Sequence, residues 1–126
     1  TIRTSYIGPN LNNVNEELLE WFLNQKDSVY GYKNAIWNGI TTLELTRGIE
    51  ALIGFDYSGI YHMVPESSIS KYDLLNLIKK VWNKKIKIKK NYDVKINRTL
   101  IDSQKIIELN NYENMFKNLY NYTLQK

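Results

Sequence analysis

Hydrophobic positions along this chain switch repeatedly between a two-residue and a 3.6-residue rhythm. Thr1-Ile2-Arg3-Thr4-Ser5-Tyr6-Ile7 reads as a strand, and Gly8-Pro9-Asn10 turns the chain after it. Asn15 to Leu23 reads as a helix. Glu16, Glu17 and Glu20 place negative charge near the positive end of its dipole, and Leu18, Leu19, Phe22 and Leu23 form an apolar stripe. A short strand at Ser28-Val29-Tyr30 and an irregular segment from Gly31 to Ile40 follow.

Thr41 and Glu44 have capping-box spacing and open a second helix. Leu45, Ile49, Leu52 and Ile53 are its expected buried stripe, and Gly54 its expected stop. Gly59 to Val64 reads as a strand and Pro65 to Ile69 as a loop. Ser70 and Asp73 cap a third helix whose apolar face runs through Leu74, Leu75, Leu77, Ile78, Val81 and Trp82. A strand carrying Ile86 and Ile88 comes next, then a loop with Asn97-Arg98-Thr99. A last helix is expected from about Asn111 to Tyr122, packed through Tyr112, Met115, Phe116, Leu119 and Tyr120. Strands alternate with helices, so the expected class is α/β or α+β with short crossovers.

Composition narrows the chemistry. The 126 residues contain no Cys and a single His, which excludes disulfides and thiolate metal sites and argues against His-based triads. No metal site is expected. No apolar run approaches the roughly 18 residues of a bilayer span, so no membrane partner is expected. The net charge of +4 is concentrated between Lys79 and Lys95, where eight lysines face one acid, Asp93. In Lys85-Ile86-Lys87-Ile88-Lys89 the lysines share one strand face, as on a solvated strand near a sheet edge. The alternative is a small basic module binding nucleic acid or an acidic partner. Arg3, Arg47 and Arg98 are scattered, which weakens it, and no nucleic-acid partner is expected.

Candidate chemistry is sparse. Glu16 and Glu20 share a helix face and read as solvated carboxylates. His62 sits in a strand between Ile60 and Val64 and reads as a packing residue. No Gly-x-Gly-x-x-Gly turn and no Gly-x-x-x-x-Gly-Lys-Ser/Thr loop occurs. Tyr30, Tyr57, Tyr72 and Tyr112 are followed four positions on by Asn34, Tyr61, Asn76 and Phe116, so the chain is expected to hold no Tyr-x-x-x-Lys pair, and no catalytic residue is expected in it. Asn34, Trp37, Asn38 and Thr41 lie in a partly apolar segment suited to a pocket wall. Arg98, free of flanking lysines, suits either a phosphate or carboxylate or a surface ion pair.

Taken in order, several runs resemble extended short-chain dehydrogenases. They are Ile2 to Pro9; Gly31 to Leu45; Ser58-Gly59-Ile60-Tyr61-His62; Ile69 to Leu75; and Asn97-Arg98-Thr99-Leu100 with Asp102-Ser103. Within that family they are most similar to the dTDP-4-dehydrorhamnose reductases and the NAD-dependent sugar-nucleotide epimerases and dehydratases. Residues 1–126 then correspond to the C-terminal, substrate-binding portion: late Rossmann strands plus a small α/β lobe, with the N-terminal cofactor-binding half absent.

The resemblance implies a chain about twice as long, cytoplasmic, homodimeric at full length, working on sugars for cell-surface polysaccharide. Such enzymes reduce a 4-keto-6-deoxy sugar on a nucleoside diphosphate with NADP or NAD. A Tyr donates the proton and a Lys lowers its pKa, both supplied by the other half. It further implies that Thr4, Ser5, Gly8 and Pro9 lie beside the cofactor, and that Trp37, Asn38 and Arg98 contact the nucleotide sugar. Asn38-Gly39-Ile40-Thr41-Thr42 departs from the well-known reductases. Sugar, nucleoside, cofactor and the choice between reduction and epimerisation stay open.

Overall fold

The computed structural model describes residues 1–8, 18–55, 58–102 and 104–125. The opening run is extended but forms two short strands, β1 (Ile2–Arg3) and β2 (Tyr6–Ile7). Helix α1 (Leu18–Leu23) follows, with Leu19 and Phe22 buried as the apolar stripe requires; Glu16 and Glu17 lie outside the described residues. Next come β3 (Ser28–Tyr32), β4 (Ala35–Trp37), β5 (Ile40–Thr41) and α2 (Thr42–Gly54). Then follow β6 (Tyr61–His62), β7 (Ile69–Ser70), α3 (Lys71–Trp82), β8 (Lys87–Asn91), β9 (Ile96–Arg98) and α4 (Tyr112–Leu124).

The fold is mixed α/β. β1 pairs in parallel with β6, β2 with β5, and β3 with β8; β4 lies between antiparallel β7 and parallel β9. Residues 1–7 thus bridge two distant strands, with Tyr61 N donating to Thr1 O and Ile40 N to Ser5 O, both at 2.8 Å. Helix α3 packs on α4 and on β3, β4, β7 and β8, so its buried Leu74, Leu75 and Ile78 sit at the centre of the core. Phe22, Ile40, Met63 and Phe116 are fully buried around them.

Both expected caps form: Thr41 accepts from Glu44 N at 3.2 Å and Ser70 from Asp73 N at 3.0 Å. Asn111 caps α4 in the same way, through Asn114 N at 2.8 Å. Several expectations need correction. The segment 31–40 is not irregular: β4 and β5 are held there by partners remote in sequence, as with Trp37 and Arg98, a tertiary cause that local composition does not display. Asn97 and Arg98 belong to a strand for the same reason.

The buried stripe of α2 is Glu44, Gly48 and Leu52, while Ile53 is 74% exposed and Ile49 38%. The packed face is chosen by close approach. A Cβ on Gly48 would overlap the Met63 sulfur, and the buried Glu44 carboxylate accepts from Asn110 N and Nδ2 at 2.5 and 3.0 Å. Gly54 is the last residue of the helix rather than its left-handed stop; Phe55 caps it in the right-handed region. The left-handed cap occurs on α3 instead, at Asn83 with φ 52°.

Candidate functional site

Where β2, β4 and β9 come together the structure holds a cleft of about 330 Å³. Three expected site residues meet on its wall: Ser5 from the β1–β2 connection, Trp37 from the end of β4 and Arg98 from the end of β9. The register makes the last two neighbours, since Trp37 pairs with Arg98. Trp37 Nε1 donates to Ser5 Oγ at 2.7 Å, which fixes the indole against the strand end. The other indole face meets the Tyr112 ring at 6.0 Å between centroids. Ile36, Leu74 and Ile96 supply apolar wall, and among the described residues no carboxylate lines the cleft. Arg98 is exposed and makes no side-chain hydrogen bond or ion pair among the described residues, so its guanidinium faces the cleft unpaired.

Thr4, Gly8 and Asn38 are not on the cleft wall. Asn38 is buried and its amide is fully engaged: Nδ2 donates to Leu100 O at 2.8 Å and Pro65 O at 3.4 Å, while Oδ1 accepts from Leu100 N at 3.0 Å. It clamps the chain beyond β9 onto the chain beyond β4. Gly8 is buried, and the space a Cβ would fill is taken by the Thr42 side chain at the start of α2. Thr4 Oγ1 donates to its neighbour's carbonyl, Ser5 O, at 3.2 Å. Pro9 lies outside the described residues.

His62 Nδ1 lies 3.1 Å from Ile101 O, to which it donates in the Nδ1-protonated tautomer, a packing role. One Tyr-x-x-x-Lys spacing does exist, Tyr122 to Lys126, contrary to the expectation that the chain holds none. Tyr122 lies near the end of α4, 46% exposed, and does not line the cleft. The basic stretch is partly spent locally. Lys80 pairs with Glu113 at 3.1 Å, Lys84 donates to Leu23 O at 2.9 Å, and Lys89 and Lys90 lie over the Tyr30 and Tyr72 rings.

Sequence reasoning missed Lys71, which lines the cleft from the first turn of α3. Its position just after the Ser70 cap was the available signal. It also missed the phenol network behind the wall. Tyr112 donates to Gly39 O at 3.1 Å, and Tyr61 donates to Asp102 Oδ2 at 2.6 Å while accepting from Ile107 N at 3.1 Å.

Burial pushes the Tyr112 phenol well up from its ordinary 10.0; for Tyr61, burial and then the hydrogen bond to Asp102 act in the same direction. Above that value the folded chain holds protons that the unfolded chain releases, so stability is full below about pH 10 and falls as pH rises. Urea midpoints should stay level from about pH 8 to 9.5 and decline beyond. The decline should be shallower in Tyr112→Phe; identical slopes would contradict the assignment.

No protein-family model and no curated protein matches the chain. Solved structures do. A dTDP-4-dehydrorhamnose reductase from Bacillus anthracis, solved with NADP, superposes with a TM-score of 0.75 at 14% identity, over 97% of this chain and 47% of that one. A UDP-N-acetylglucosamine 4-epimerase from Methanobrevibacter ruminantium, in complex with UDP-N-acetylmuramic acid, gives 0.71 at 17%, over 98% and 45%. A GDP-L-fucose synthetase from Naegleria fowleri bound to NADP gives 0.71 at 15%, over 97% and 44%. The chain has a mixed α/β fold shared with about half of each of these structures. It spans less than half the length of each of these structures. Among the described residues no helix is long and apolar enough to cross a membrane.

Proposed function

We propose that residues 1–126 are the substrate-binding, C-terminal region of an NAD(P)-dependent reductase about twice as long. Its substrate is a nucleoside-diphosphate 4-keto-6-deoxy sugar, as in a dTDP-4-dehydrorhamnose reductase, and its product feeds cell-surface polysaccharide in the cytoplasm. The observation that carries this reading is the cleft itself, where an arginine with no side-chain partner among the described residues and a fixed indole stand on an apolar wall. A guanidinium fork suits a phosphoryl group and an indole edge suits a sugar or base ring. Solved structures of the same fold, named for sugar-nucleotide reduction and epimerisation, support the substrate class.

NADP or NAD would be held mainly by the other half of the enzyme. This chain's part is the Thr4–Ser5 strand end, where small side chains leave the backbone approachable. The homodimer belongs to the full-length enzyme under the same reading.

Calorimetric titration of this chain with dTDP-sugars and UDP-sugars should give saturable binding. Arg98→Gln should weaken it about tenfold or more at an unchanged Tm, because Arg98 is exposed and supports no packing. The chain alone should oxidise no NADPH. Failure of wild type to bind either sugar nucleotide at about millimolar concentration would overturn the reading, and turnover by this chain alone would overturn the division of labour.

A further inference from the structure

The cleft contains a second cation besides Arg98. Lys71 is the first residue of α3 and lines the cleft beside Leu74. A positive side chain there lies against the positive end of the helix dipole, where an acid is the favourable choice. The acid of that turn, Asp73, is held by Lys33 at 3.2 Å. Lys71 itself makes no side-chain hydrogen bond or ion pair among the described residues, although it is half-buried. A partly desolvated cation in an electrostatically unfavourable place is a local conflict that the described residues do not resolve. An anion in the cleft would resolve it.

Lys71 also lines a second cavity of about 540 Å³, whose wall includes Trp21, Tyr30 and Tyr32. Lys71 and Leu18 are common to both cavities, so Lys71 stands where the two adjoin. Arg98 borders only the first. The two cations of the cleft therefore occupy different places along it. A diphosphate diester carries one negative charge on each of two phosphoryl groups, whereas a nucleoside monophosphate offers a single group.

We propose that Lys71 is a specificity-determining residue: it takes the second phosphoryl group of a diphosphate-linked sugar whose first is held by Arg98, and so sets the preference for diphosphate diesters over monophosphates. This inference rests on the reading of the cleft as a nucleotide-sugar site.

The test is a comparison of affinities on the 126-residue chain, using UDP-glucose against UMP and dTDP-glucose against dTMP. In wild type the diphosphate sugar should bind about tenfold or more tightly than the monophosphate. Lys71→Gln should bring that ratio close to one by weakening the diphosphate alone, and Lys71→Arg should restore most of it. The Tm of Lys71→Gln should hold or rise, since the charge opposing the dipole is gone, which separates lost recognition from lost folding. A wild-type preference that survives Lys71→Gln, or an equal loss for both ligands, overturns the role of Lys71 while leaving the cleft assignment intact. Wild type that binds none of the four ligands overturns both.

Discussion

Asn38→Ala is expected to lower the unfolding free energy by about 2–3 kcal/mol and to weaken sugar-nucleotide binding with it. The amide is buried and satisfies three backbone groups, the N–H and C=O of Leu100 and the C=O of Pro65. Alanine leaves them without partners, and a buried unpaired polar group costs far more than an average hydrogen bond contributes. Leu100 lies two residues beyond Arg98, so loosening it also loosens the guanidinium. Asn38 thus acts on the ligand as a positioning residue, whereas Arg98→Gln should weaken binding without moving the urea midpoint. Asn38→Asp gives a sharper diagnosis. At neutral pH its carboxylate would face two carbonyls and should destabilise at least as much as alanine. Protonation restores a donor, so the variant should recover stability relative to wild type as the pH falls from about 7 toward 4. An Asn38→Ala chain that keeps wild-type stability and loses only binding would show that the side chain contacts ligand instead.

The helices were legible because their signals are local. Ser70 and Thr41 announce their caps within four residues, and the stripes of α3 and α4 repeat often enough to fix the buried face. α2 was misread because hydropathy selects Ile49 and Ile53, while the packed face depends on Met63 approaching Gly48 and on Asn110 neutralising the cost of burying Glu44. Neither partner is near in sequence. The strands β4, β5 and β9 were missed for a related reason: each is two or three residues long and exists only because a remote strand pairs with it. The site was half-legible. Residue type pointed to Arg98 and Trp37, and the structure brings both to one wall with Ser5. Asn38 has the same polar-loop appearance, yet its hydrogen-bond partners turn it inward. Lys71 looked like one lysine among many until its helix position and the engagement of Asp73 were known.

Gly39→Ala should be the most damaging single change to the cleft, costing about 3 kcal/mol and abolishing ligand binding together. A Cβ at this position would overlap both the Trp37 ring and the Ser5 carbonyl. Neither neighbour can give way cheaply. The Ser5 carbonyl accepts from Ile40 N at 2.8 Å, so moving it breaks the pairing of β2 with β5. The Trp37 ring is held by Ser5 Oγ at 2.7 Å and by the Tyr112 ring, whose hydroxyl donates to Gly39 O itself. The residue before β5 therefore has two walls and a lid, all built from groups that also shape the cleft. The expected outcome is a lower urea midpoint and a changed tryptophan emission, because the indole loses its fixed hydrogen bond. Gly48→Ala makes a useful contrast. There the overlap is with the flexible Met63 side chain, remote from the cleft, so stability should fall less and binding in the folded fraction should survive. A Gly39→Ala chain with unchanged emission and affinity would mean that the strand end moves freely, and the indole could then not be a rigid wall of the site.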